Sequence, residues 1–132
     1  MAKANAHIGP QGYRVDIDSG THRLIADEPA SRGGGDAGLA PYDLLLAALG
    51  ACTAMTLRMY ADRHGWPIAA LDVDLQIVGT AEGNRIRRVL TIEGPEGEAK
   101  RRLADIAERT PVTLTIKNGM AIDTALAEMA DD

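Results

Sequence analysis

Pro41-Tyr42-Asp43-Leu44-Leu45-Leu46-Ala47-Ala48-Leu49-Gly50-Ala51-Cys52-Thr53-Ala54-Met55-Thr56-Leu57-Arg58-Met59-Tyr60-Ala61 carries apolar residues around every side of a helical projection. As a helix it therefore needs cover all round. Pro41 suits a first helical position, where its missing N–H costs nothing. Gly65, followed by Trp66-Pro67, stops the helix at its far end. About two dozen residues make a rod of roughly 35 Å, about the width of a small domain. Cys52, the only cysteine in the chain, sits near its middle. The apolar run Leu44–Leu57 is shorter than the roughly 20 residues that cross a bilayer core, holds two threonines and is closed by Arg58. It reads as a core helix, with no membrane partner.

The 132 residues predict a single domain spanning 1–132. One Trp, three Tyr and no Phe leave the core to Leu, Ile, Val, Ala and Met, and provide no aromatic platform for stacking bases. A net charge of −5 argues against nucleic acid and against an anionic membrane surface as partners. The N-terminus lacks the order of a secretory signal, so a cytoplasmic location is expected. With one cysteine there is no internal disulfide, which leaves a buried thiol, a reactive thiol or a pairing between chains.

Upstream of the rod the spacing predicts a meander of strands at Lys3–Ile8, Tyr13–Asp18 and His22–Ala26, with turns at Gly9-Pro10-Gln11-Gly12 and Ser19-Gly20. Asp27 to Ala40 is loop, with Pro29, the triple glycine Gly33-Gly34-Gly35 and Gly38. Such a connection is ordinarily a flexible link. The alternative is a loop whose bare backbone lies close to a ligand or a second subunit. It is no phosphate loop, because no Gly-Lys-Ser/Thr follows.

Downstream, Leu71–Ile77 and Arg85–Ile92 alternate with a period of two and read as an antiparallel hairpin turning at Glu82-Gly83-Asn84. Pro95 opens an amphipathic helix to Arg109, with Ala99, Leu103, Ile106 and Ala107 on one face and Lys100, Arg101 and Glu108 around the rest. Val112–Ile116 is ambiguous: its β-branching favours a strand, whereas Thr110-Pro111 is a cap and first-turn signal for a helix. Lys117-Asn118-Gly119 reads as a turn, and Met120–Leu126 as a last strand or helix. The order of elements makes an α+β fold.

Cys52 is the one strong candidate nucleophile. A free cysteine is most often a small buried hydrophobe, and an active thiol needs a cation or a helix N-terminus close by. Its neighbours three and four residues away, Ala48, Leu49, Met55 and Thr56, carry no charge, so activation must arrive from another element. His7, His22 and His64 have no ligand spacing, and neither a metal nor a cofactor is expected. The arginines at 85, 87 and 88, with Lys100, Arg101 and Arg102, read as a solvated face, or else as a site for an anion.

The order Asp27-Glu28-Pro29, then Gly33-Gly34-Gly35-Asp36-Ala37-Gly38, then Pro41 through Thr53 resembles the OsmC/Ohr family of osmotically inducible and organic-hydroperoxide-resistance thiol peroxidases. The likeness continues through Met59-Tyr60-Ala61 and Gly65-Trp66-Pro67 to Ile106-Ala107-Glu108-Arg109-Thr110-Pro111-Val112. The resemblance implies an OsmC-like fold, with antiparallel sheets wrapped around a long central helix in an intertwined homodimer. It implies that Cys52 is the peroxidatic cysteine, converted by a hydroperoxide to a sulfenic acid.

The resemblance also favours a helical turn after Thr110. Thr110 stands where the family sets its second, resolving cysteine, and a hydroxyl cannot condense with a sulfenic acid. An external thiol reductant is then required. The family's carboxylate near the start of the long helix corresponds to Asp43. Its arginine in an early loop has no direct match: Arg14, Arg23 or Arg32 can take its place, with Arg23 the candidate. Two functions follow. One is one-cysteine reduction of hydroperoxides in oxidative-stress defence. The other is a non-catalytic protein that binds a small apolar or anionic ligand at the dimer interface, with Cys52 lining the pocket.

Overall fold

The computed structural model describes residues 1–127. Its elements are β1 (Asn5–Ile8), β2 (Val15–Ser19), β3 (His22–Ala26), α1 (Pro41–Arg63), β4 (Ala70–Thr80), β5 (Gly83–Glu93), α2 (Gly97–Ile106) and α3 (Pro111–Asn118), with 3₁₀ turns at Ala30–Arg32 and Ala107–Arg109. This is an α+β chain with antiparallel strands and one long helix. It divides into two compact units, Met1–Ala51 with Val73–Val89, and Cys52–Asp72 with Leu90 onward.

In the first unit β1, β2 and β3 form an antiparallel sheet in that order, with Ala6 opposite Ile17 and Ile17 opposite Leu24. The loop that follows is not a loose link. Asp27 is 4% exposed, and its carboxylate accepts hydrogen bonds from the N–H groups of Glu28 at 2.7 Å and Ala37 at 3.1 Å. The Ala37 N–H, with those of Glu28 and Gly35 and the charge of Arg14, holds that carboxyl below the usual aspartate range against the opposing effect of burial. Asp27 N–H donates to Leu39 C=O at 3.1 Å and Asp36 N–H to Glu28 C=O at 3.0 Å, so the chain doubles back on itself. A Cβ on Gly34 would collide with the Glu28 carbonyl, and one on Gly38 with the Ile25 carbonyl. The glycines are therefore there for close backbone approach. Further on, Leu75 occupies the space a side chain at Gly50 would need.

The second unit holds a core of Leu57, Ala61, Ile92, Leu103 and Ala107, flanked by Tyr60, Trp66, Ile68, Leu71, Leu90 and Ile106. α2 buries Leu103 and half-buries Ala99 and Ile106, the face its periodicity predicts. α1 ends as expected at Gly65, whose φ of +68° lets Gly65 N–H donate to Asp62 C=O at 3.2 Å and Trp66 N–H to Ala61 C=O at 2.9 Å. His64 Nδ1 donates to Tyr60 C=O at 3.0 Å, and its ring stacks on Tyr60 at 4.4 Å.

The remaining expectations are partly kept, partly decided and partly revised. The whole of α1, 23 residues, is by length and composition long enough to cross a membrane, unlike the apolar run inside it. Within the chain it buries Leu49, Thr53, Leu57 and Ala61, and its cover is one-sided: Tyr42, Leu45, Met55 and Met59 are exposed. The helix expected from Pro95 starts at Gly97, and Ala107–Arg109 tightens to a 3₁₀ turn. Val112–Ile116 is helical, the capping signal prevailing over β-branching. Lys117 and Asn118 close that helix, and Met120–Ala127 adopts neither strand nor helix.

Candidate functional site

Cys52 lies within the second unit, half-buried, on α1. One helical turn along, Thr56 sets its hydroxyl 3.8 Å from the sulfur. Sixty residues on, the Val112 N–H donates to Cys52 Sγ at 3.5 Å. Met55 and Met59, 60% and 57% exposed, continue the same side of the helix and give the surroundings of the thiol an apolar character.

The Val112 contact follows from how α3 begins. Thr110, extended at φ −68° and ψ 155°, is its N-cap, and Pro111 occupies the first helical position. The first N–H groups of any helix have no partner inside it and carry the positive end of the helix dipole. Pro111 has no N–H to offer, so Val112 presents the first one, and it points at sulfur. The polar group that meets the sulfur from another element is here a peptide N–H. Its signal was present as Thr110-Pro111, which marks a helix start, but nothing local tied that start to Cys52.

The other candidates fall as follows. Thr110 is fully buried, two residues before the Val112 whose N–H donates to Cys52 Sγ. Asp43 occupies the exposed first turn of α1, where a carboxylate complements the helix dipole. Arg23 lies on β3 and donates from Nε to Asp18 Oδ1 at 2.8 Å and from Nη2 to Oδ2 at 3.4 Å. That pairing lowers the Asp18 carboxyl below its usual range and raises Arg23. Arg14 pairs with Asp16 at 3.3 Å. Among the described residues no group of three His, Cys, Asp or Glu side chains is arranged to hold a metal.

A sulfur that accepts hydrogen bonds from a peptide N–H at a helix start and lies beside a hydroxyl is suited to nucleophilic chemistry. With only one cysteine in the chain, any disulfide it forms is intermolecular or with a small thiol.

Comparison with known proteins gives the family and the fold. The family model described as OsmC-like protein matches residues 33–125, which includes Cys52, Thr110 and Val112. No curated protein matches. Among solved structures, an OsmC-like protein from Mycoplasma pneumoniae is 19% identical over 90% of this chain and 89% of its own, with a TM-score of 0.76. An organic hydroperoxide resistance protein OsmC from Legionella pneumophila is 21% identical over 89% and 90%, at 0.63. The organic hydroperoxide resistance protein OhrB of Bacillus subtilis is 21% identical over 90% and 92%, at 0.62. At these identities the likeness is one of fold.

Proposed function

Because the chain belongs to the OsmC-like protein family, we propose that it reduces hydroperoxides through Cys52 by a one-cysteine route, as a cytoplasmic homodimer. The observation that carries this reading is the Val112 N–H directed at the Cys52 sulfur. Solved structures named for organic hydroperoxide resistance support the substrate class.

In the first step the Cys52 sulfur attacks the terminal peroxide oxygen and the O–O bond breaks. The departing alkoxide takes a proton and leaves as alcohol, and Cys52 is left as a sulfenic acid. The Val112 N–H donates to the sulfur and the Thr56 hydroxyl lies beside it, which holds the sulfur in place for the attack. An external thiol then attacks the sulfenic sulfur. Hydroxide departs with the incoming thiol's proton as water, and a mixed disulfide forms. A second thiol releases Cys52 and carries away the oxidised disulfide. Thr110 takes no covalent part.

The homodimer is supported by the side of α1 that the chain leaves open. Tyr42 and Leu45 in the first unit, and Met55 and Met59 in the second, are large apolar side chains in contact with water. A second copy burying them satisfies the all-round apolar pattern of the helix.

The test is consumption of cumene hydroperoxide with glutathione as the monothiol. Turnover by wild type and none by Cys52→Ser is expected. Equal rates for the two proteins would remove the peroxidase reading and favour the ligand-binding protein.

A further inference from the structure

The hydroxyl of Thr110 has a task of its own. Thr110 is 0% exposed, and its Oγ1 lies 2.6 Å from Oγ1 of Thr113. Thr113 Oγ1 in turn donates to the Ala107 carbonyl at 3.3 Å. A hydroxyl has one proton to give and a carbonyl can only accept. The proton of Thr113 is therefore directed at Ala107, and Thr110 is the donor in the short bond. The bonds run one way, from Thr110 to Thr113 to Ala107, and tie the start of α3 to the 3₁₀ turn before it.

This direction has a consequence for sulfur. An N-cap threonine ordinarily turns its oxygen onto the N–H of the second or third helical residue, and in α3 the second is Val112. Thr110 makes no such side-chain cap. Its hydroxyl faces inward, and the Val112 N–H goes to Cys52 Sγ instead.

We propose that Thr110 is a positioning residue for Cys52: by donating inward to Thr113 it fixes the start of α3 and leaves the Val112 N–H to the sulfur. The proposal rests on Cys52 being the working group of the site, as in the function proposed above. It assigns the position where the family resemblance sets a second thiol to placing a donor rather than to redox exchange.

The experiment compares Thr110→Val, which keeps the shape and removes the donor, with Thr110→Ser, which keeps the donor. The full chain is used, and two quantities are read. One is the rate of Cys52 alkylation by iodoacetamide at one neutral pH. The other is the amide proton resonance of Val112 in ¹⁵N-labelled protein. In the valine variant alkylation is expected to slow about three- to fivefold, the scale of one ordinary hydrogen bond, and the Val112 resonance to move upfield. Serine should restore both. Ile17→Ala, which loosens the β1–β2–β3 sheet of the first unit, should leave the Val112 resonance in place. If valine prevents folding, Thr110→Ala makes the same comparison with a smaller side chain. A valine or alanine variant with wild-type alkylation and an unmoved Val112 resonance overturns the proposal, as does a serine variant as impaired as valine. If wild type proves inert to peroxide, the proposed activity fails, yet the Val112 resonance still decides the role of Thr110.

Discussion

Replacing Thr110 by cysteine puts a second sulfur near the first and tests the placement of α3 quantitatively. From Cys52 Cα through Sγ to the Val112 nitrogen, then back through Pro111, covalent geometry and the 3.5 Å contact limit the 52–110 Cα separation to about 13 Å at full stretch. A disulfide needs about 4.4–6.8 Å, and movement at the start of α3 closes the remainder. Reduced, the variant loses one buried hydrogen bond, worth about 1 kcal/mol, and a methyl group worth about 0.8 kcal/mol. It should be about 2 kcal/mol less stable than wild type. Oxidised, it closes a loop of about 60 residues, which adds about 4 kcal/mol by loss of unfolded-chain entropy. At about 4 °C per kcal/mol for a chain of this size, Tm should lie about 8 °C below wild type when reduced and about 8 °C above it after peroxide. The assay is thermal unfolding before and after one equivalent of peroxide, with thiols counted in parallel. Two titratable thiols after oxidation, with Tm unchanged, would refute the proximity on which the account of Thr110 rests.

Other outcomes follow from the same packing. Leu103, fully buried in the second unit, should cost about 2–5 kcal/mol when cut to alanine, read as a fall in the denaturant midpoint. For Asp27 the lowered folded-state pKa means that its stabilising contribution is complete above the unfolded value and is lost as pH falls through the folded one. Asp27→Asn should therefore be less stable than wild type at neutral pH, and the gap should close as pH drops below about 4; a gap independent of pH would contradict this. Sedimentation should find a homodimer at micromolar concentration, with a total interface above about 2,000 Å²; a stable folded monomer removes the claim.

Much of the fold was legible because local signals and burial agreed. Pro41 and Gly65 bracket α1, and the period-two runs give β4 and β5 to within three residues at each end. α3 shows what decides when signals conflict. Val112, Thr113, Thr115 and Ile116 all favour strand, yet Thr110-Pro111 starts a helix, and the helix buries Thr113. The loop after β3 was harder, since its order comes from backbone N–H groups converging on one carboxylate. Asp27 ahead of Pro29 and four glycines is a faint sign of that arrangement, because aspartate readily accepts from nearby backbone. The sulfur's donor was not legible at all. Cys52 and Val112 lie sixty residues apart, and only tertiary packing brings a helix start to a thiol.

The proposed function makes Cys52 a peroxidatic thiol with no resolving partner in its own chain. The direct measurement is mass spectrometry after one equivalent of cumene hydroperoxide, with dimedone added after a delay. A dimedone adduct on Cys52 should still form after the delay, because no second thiol in the chain consumes the sulfenic acid. Excess peroxide should replace the adduct with sulfinic acid. An unmodified Cys52, under conditions where a control thiol peroxidase is labelled, would contradict it.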